Sequence, residues 1–298
     1  MSADKVTLRT AFDDYPHTRA IKTGEVASDL LTFDFVPTKP MNRAFKPMVR
    51  EQAFDVSECA IVTYLQARAY NKPIVMLPCA MLSRFQHHTM LYNSERGVIT
   101  PADLPGRRLG MRAYTQTTGA WLRGILANEY GVDLNQSHWV TFEDAHVAEY
   151  SDPPGVERAP EGKNITQMLL DGELDAAIFG GDMPNDPRLK SVIPHPEVDA
   201  MAWYRKTGAV PINHVITVTE KLSKTRPDVV REIFRMLVAS KQAAGLPKPG
   251  EVDMQPFGFK ACYPSLALII DYAFQQQLIP RRFSVEELFD DTTRALGA

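Results

Sequence analysis

The stretch FDVSECAIVTYLQARAYNKPIVMLP, Phe54–Pro78, sets the fold class. Phe54–Glu58 reads as a short strand that ends in a carboxylate. Ile61–Tyr70 reads as a helix, and Ile74–Pro78 is a continuous apolar run of strand length bounded by proline on both sides. Strand, helix and strand in this order, with connections of a few residues, predict parallel α/β units. The same alternation extends towards the N-terminus. Val6–Phe12 alternates as a strand, Asp13-Asp14-Tyr15-Pro16 breaks it, and His17–Lys22 is a short helix. Leu30–Val36 is a second strand, and Met41–Ala53 is a helix with Met41, Phe45, Met48 and Val49 on one face.

Downstream the pattern continues in two further blocks. Thr100-Pro101-Ala102-Asp103 has the N-cap, proline and acidic residue of a helix start. Arg107–Met111 is a strand, and a loop from Arg112 to Thr117 leads into a helix from about Thr118 to Tyr130. Trp139–Phe142 and Leu174–Phe179 are strands, Ile165–Leu170 is a helix, and Ser151–Lys163 is rich enough in proline, glycine and charge to be a surface loop. In the last block, Ile212–Val218 is a strand and Arg226–Lys241 an amphipathic helix. Ser265–Leu278 is another helix, and Ser284-Val285-Glu286-Glu287 is a capping box that opens a final one.

The 298 residues carry a net charge of −3, with 44% hydrophobic and 23% charged residues. The length favours two domains. No long basic run is present, so nucleic acid is not an expected partner. The N-terminus enters the first strand without a basic and apolar leader, and no apolar run is long enough to span a bilayer. Three cysteines, Cys59, Cys79 and Cys262, lack metal-ligand spacing. Together these features predict a cytoplasmic protein with reduced, buried thiols.

Chemistry concentrates in SRFQHHTMLYN, Ser83–Asn93. Arg84 can hold a carboxylate through a forked pair of hydrogen bonds. A histidine such as His87 or His88 can move a proton near neutral pH. In an extended segment adjacent side chains point to opposite faces, so only one of the pair is expected to face the cleft and transfer protons. Glu58 ends a strand, where ligands of open α/β sheets gather. His214 opens the strand after Pro211-Ile212-Asn213. Tyr15, His17 and Thr18 follow the first strand. Tyr114, Thr117 and Thr118 precede a helix whose free N–H groups suit an anion. No HxH, HExxH or carboxylate cluster points to a metal, and no nucleotide or nucleophile-elbow motif occurs.

GVITPADLPGRRLGM, Gly97–Met111, and MLLDGELDAAIFGG, Met168–Gly181, resemble the second lobe of the type 2 periplasmic-binding-protein fold. FDVSECAIVTYL, SRFQHHTMLYN, AYTQTTGAWLRGILANEYGV, PINHVITV and PFGFKACYPSLALIIDYAFQQQLIPRRFSVEELF resemble the 4,5-dihydroxyphthalate decarboxylase family over about Val6–Phe289. Lys260, Cys262 and Tyr263 stand where the family pattern has Glu, Asn and Arg.

The resemblance implies an α/β protein of two lobes with a ligand cleft between them, lobe one being residues 1–92 and 206–298 and lobe two 93–205. It implies a carboxy-lyase that converts 4,5-dihydroxyphthalate to 3,4-dihydroxybenzoate and CO2 without an organic cofactor. His88, His214 and Glu58 would be catalytic; Arg84, Thr117, Thr118, Tyr114, Tyr15, His17 and His87 would bind substrate. The implied partner is a small aromatic carboxylate, with self-association open and no membrane. The alternatives are a solute-binding protein of the same fold that captures an aromatic or small anionic ligand, and another enzyme on this scaffold, such as a thiamin-precursor or menaquinone-pathway protein.

Overall fold

A computed structural model describes residues 5–297. The chain forms two compact units. The first takes the chain up to Arg84, Ile212–Ile270 and the chain from Arg281; the second takes Phe85–Pro211 and Asp271–Pro280.

In chain order the first unit contributes β1 (Val6–Ala11), α1 (Arg19–Lys22), β2 (Leu31–Phe35), α2 (Phe45–Glu51), β3 (Val56–Ala60), α3 (Ile61–Ala69) and β4 (Ile74–Ser83). The second unit follows with β5 (Met90–Asn93), β6 (Arg108–Met111), α4 (Thr117–Glu129), β7 (His138–Thr141), β8 (Val156–Arg158), α5 (Ile165–Asp171), β9 (Ala176–Ile178), β10 (Leu189–Ser191) and α6 (Pro196–Thr207). The chain then returns with β11 (Ile212–Thr219), α7 (Glu220–Thr225), α8 (Pro227–Ala243), α9 (Phe259–Gln275) and α10 (Asp291–Arg294).

The first sheet has the order β2-β1-β3-β11-β4. β1 is parallel to β2 and β3, whereas β11 runs antiparallel to both β3 and β4. The carboxyl ends of β1, β3 and β4 and the amino end of β11 therefore share one edge. The second sheet, β10-β5-β9-β6-β7-β8, is also mixed, with parallel β9-β6-β7-β8 and antiparallel β5. Both sheets bury apolar faces under helices. In the first unit Leu8, Val56, Leu77 and Ile216 form one cluster with Val229, Val230, Ile233 and Leu237 of α8. The spacing of those α8 residues is that of one helical face. In the second, Leu91, Val140, Leu174 and Ala177 pack with Met168 and Leu169 of α5.

Several elements differ from the sequence reading. β4 continues beyond Pro78 to Ser83. It is an edge strand, where a missing N–H is tolerated, and the Pro78 carbonyl still accepts a bond from Gly258 N–H at 2.8 Å. β5 lies wholly in the second sheet. These two facts move the division from the expected 92/93 to 84/85, and the return falls at 211/212 rather than 205/206. Thr100–Asp103 and Ser284–Glu287 open 3-10 turns, not long helices. The charged loop 151–163 contains the edge strand β8, and α9 starts at Phe259 with Pro264 inside it.

No helix among the described residues is long and apolar enough to cross a membrane. All three cysteines are free and buried. Burial pushes the Cys79 thiol well above its usual range and the Cys262 thiol up to about 12.

Candidate active site

The edge shared by β1, β3, β4 and β11 carries a buried carboxylate with three donors. Glu58 is fully buried. Its Oε2 accepts the Asp13 N–H at 3.1 Å. Its Oε1 accepts the Tyr15 hydroxyl at 2.7 Å and pairs with His214 Nδ1 at 2.6 Å. Strand register brings the pair together. His214 stands opposite Ala60 and Ile216 opposite Glu58, so Glu58 and His214 are diagonal neighbours on one face of adjacent strands. An unpaired buried carboxylate costs several kcal/mol (about 3–5 when a partner is removed); three converging donors offset that cost.

An ionised Glu58 accepts from all three groups, which places the shared proton on His214 Nδ1. His214 Nε2 makes no hydrogen bond among the described residues, and the side chain is 18% exposed. Phe45 meets the imidazole edge to face at 5.0 Å. Burial, and then the neighbouring Glu58 charge, push the Tyr15 phenol far above its usual range, which keeps it a donor. His17 stacks on Tyr15 at 5.1 Å with a 4° interplanar angle and meets Phe257 edge to face. Burial lowers the pKa of His17 to about 4, so it is neutral at pH 7, and its Nε2 is buried without a hydrogen-bond partner. Lys22 adds a half-buried cation over the Phe12 and Phe35 rings, its Nζ donating to the Phe12 carbonyl at 2.8 Å.

Of the residues singled out in the sequence, Glu58, His214, Tyr15 and His17 thus form one cluster. Arg84 is half-buried and directly follows β4, whose Leu82 stands opposite His214. The remaining candidates lie in the second unit. His87 and His88 occupy a turn rather than an extended segment. His87 is buried against Trp203, with ring centroids 6.1 Å apart, and burial lowers its pKa to about 4; His88 is exposed. Thr117 and Thr118 are buried in the first turn of α4. The N-cap is Gln116, which makes no side-chain cap bond.

Tyr114 is held by a residue that the sequence reading passed over. Arg123, 1% exposed, donates to the Tyr114 carbonyl at 2.7 Å and lies 3.8 Å over its ring. Arg123 sits between the inward-facing Leu122 and Ile125, and periodicity alone gave it no distinction. Phe45, Lys22 and the Asp13 N–H were likewise missed. Only the Asp13-Asp14 break after β1 hinted that the chain turns there. Among the described residues, no group of three or more His, Cys, Asp or Glu side chains is placed to hold a metal ion.

Two mixed α/β sheets in this topology belong to the periplasmic-binding-protein-like class, and solved structures agree. The chain is similar to the alkanesulfonate-binding protein SsuA from Xanthomonas axonopodis pv. citri bound to MOPS, with a TM-score of 0.59 at 12% identity, covering 97% of this chain and 98% of that one. It is also similar to a Candida albicans gene product described as having the generic periplasmic binding protein structural fold. There the TM-score is 0.51 at 12% identity, over 98% and 94% of the two chains. Both likenesses show the fold alone.

Sequence similarity is narrower. A 4,5-dihydroxyphthalate decarboxylase from Comamonas testosteroni is 29% identical over 80% of this chain and 76% of that protein. A 4,5-dihydroxyphthalate decarboxylase from Pseudomonas putida is 28% identical over 68% and 83%. The two relatives support membership of the 4,5-dihydroxyphthalate decarboxylase family. No family model matches the chain.

Proposed function

We propose that the protein is a carboxy-lyase that removes one carboxylate from 4,5-dihydroxyphthalate, giving 3,4-dihydroxybenzoate and CO2. The observation that carries this reading is the 2.6 Å contact between His214 Nδ1 and the buried Glu58. Binding an anion needs donors and charge. A histidine backed by a buried carboxylate, with its other nitrogen making no hydrogen bond among the described residues, is a proton-transfer device.

The chemistry needs such a device. Direct loss of CO2 would leave an aryl carbanion in the ring plane, which the π system cannot delocalise. Protonating the ring carbon that bears the carboxylate avoids this. The hydroxyl para to that carbon gives up its proton and becomes ketone-like, and departure of CO2 restores the aromatic ring. Overall the substrate dianion takes up one proton and gives the monoanionic product and CO2, with no change of oxidation state.

In this scheme His214 Nε2 takes the hydroxyl proton and later returns it, while Glu58 holds the ring and stabilises the imidazolium. Arg84, at the end of β4, anchors a carboxylate. The ring carbon also needs an acid, and a His88 variant reads out that role: unchanged turnover in His88→Ala removes His88 from the mechanism.

The test is to incubate the purified protein with 4,5-dihydroxyphthalate and follow CO2 and 3,4-dihydroxybenzoate by chromatography. Turnover that is lost in His214→Ala supports the reading. Tight binding with no CO2 overturns it in favour of a solute-binding protein of this fold.

A further inference from the structure

We propose that Tyr15 is a positioning residue which, by sharing Glu58 Oε1 with His214, sets how strongly that oxygen holds the His214 Nδ1 proton. Its use in turnover rests on the carboxy-lyase reading; the proton-sharing relationship does not. The sequence reading made Tyr15 a substrate ligand. A phenol has one proton, and here it is given to Glu58 at 2.7 Å. The same oxygen takes His214 Nδ1 at 2.6 Å, while Oε2 is occupied by the Asp13 N–H. Two strong donors on one carboxylate oxygen compete for its electron density. Strengthening one bond weakens the other, so Tyr15 acts on His214 without touching it.

The Asp13–Thr18 turn makes this geometry firm. Thr18 Oγ1 donates to the Asp13 carbonyl at 2.9 Å and accepts the Tyr15 N–H at 2.8 Å. His17, stacked on the Tyr15 ring, fills the space behind it. Charged and titratable groups act on the cluster from several elements. Asp13 and Lys22 come from the β1–α1 stretch and Cys59 from β3. Lys241 of α8, and Asp253 after it, act on His17. The α2 contact to the imidazole is the uncharged Phe45. Removing the Tyr15 hydroxyl leaves each of these groups in place, which isolates its effect on Oε1.

The catalytic consequence has a definite sign. Without the phenol, Oε1 is a stronger acceptor and favours the imidazolium, so the free base at Nε2 is reached only at higher pH. In Tyr15→Phe the rise of kcat/KM with pH moves to higher pH, whereas a ring that only fills space would leave the profile where it is.

The direct experiment is proton NMR of the intact protein carrying 15N-labelled histidine, following the His214 Nδ1 proton. His214→Gln, which lacks the signal, assigns it. Tyr15→Phe is expected to move this proton downfield. Site-specific 3-fluorotyrosine in place of Tyr15, a more acidic and stronger donor, is expected to move it upfield. The fluorinated protein keeps the ring and its packing, so it carries the test if Tyr15→Phe does not fold. A His214 Nδ1 proton that stays in place in the folded proteins overturns the proposal. Absence of turnover on 4,5-dihydroxyphthalate would overturn the function instead and leave the NMR result standing.

Discussion

Glu58 and His214 lie 156 residues apart in the chain, yet His214 stands opposite Ala60, two positions beyond Glu58 on the same face of the neighbouring strand. Their contact is a product of register. Shifting β11 by one residue along β3 would turn His214 to the other face of the sheet. The site is therefore as rigid as the centre of the first sheet, with β3 buried at every position and β11 paired on both sides.

Glu58→Gln preserves shape and tests what the charge does. The amide can donate as well as accept, so it can reverse the His214 tautomer and place the proton on Nε2. We expect kcat to fall about 100-fold or more with KM changed only slightly, since general acid–base assistance is typically worth about 10²–10⁴ in rate. Steady-state kinetics on 4,5-dihydroxyphthalate measure the split. A kcat within a factor of three of the parent protein would remove Glu58 from the proton path.

Fold class and half of the residues in the candidate cluster were legible in the sequence for the same reason: both are local. FDVSE, the apolar Ile74–Pro78 run and PINH announce strands, and a polar residue near a strand end announces an edge. Which ends meet depends on sheet order. The insertion of β11 between β3 and β4 brings His214 to Glu58, and periodicity does not encode that order. The His87–His88 reading rested on strand alternation and met a turn. Its bounds were invisible because Pro78 looked like the end of β4. Arg123 was hidden because a buried cation in an apolar helix face is recognisable only from its acceptors.

His17 and His87, one in each unit, give stability a pH dependence. Burial lowers both from their ordinary value of 6.5 to about 4. Between these values the unfolded chain binds more protons than the folded one, so stability is full above about pH 6.5 and falls as pH drops towards 4. Each histidine contributes roughly 3 kcal/mol to this loss at most. Thermal melts from pH 7.5 to 4.5 should show Tm falling, with a shallower slope in His17→Gln and His87→Gln. Parallel slopes in all three proteins would show that other groups drive the acid sensitivity.

Gly124 is the close-packing point of the second unit. A Cβ there would lie 2.1 Å from Tyr272 Cδ2 and 2.2 Å from Cγ, inside the ring's own volume. Tyr272 is buried and also meets Trp121 edge to face at 5.8 Å, so the ring is packed on more than one side. Although alanine favours helices, Gly124→Ala is expected to destabilise the protein by about 1–3 kcal/mol, the usual cost of overpacking. Tyr272→Ala in the same chain should recover part of the loss. Denaturant melts of both variants decide it, and a Gly124→Ala protein as stable as its parent contradicts the packing.

Arg123 is a buried cation and demanding to replace. Its guanidinium is buried, and its bonds go to Gln276 Oε1 at 2.8 Å, the Tyr114 carbonyl at 2.7 Å and the Met111 sulfur at 3.6 Å, all uncharged acceptors. Burial lowers its pKa, while the Tyr114 ring at 3.8 Å and the Trp139 ring at 5.4 Å supply compensating π faces. Lysine keeps a charge but not the planar fork, so it cannot reach the diverging acceptors and stack at once. Methionine removes the charge and leaves the Tyr114 carbonyl and Gln276 without their donor. Arg123→Lys and Arg123→Met should each cost about 2–4 kcal/mol in denaturant melts, and both should change the tryptophan emission as Trp139 loses its guanidinium contact. Arg123→Met at parental stability would mean that the guanidinium bonds only offset their own burial. In that case the Tyr114 turn would be held by the backbone, through the Gln116 N–H to Ala113 carbonyl bond of 2.9 Å that closes it and the Ala120 N–H to Gln116 carbonyl bond of 2.9 Å that opens the helix.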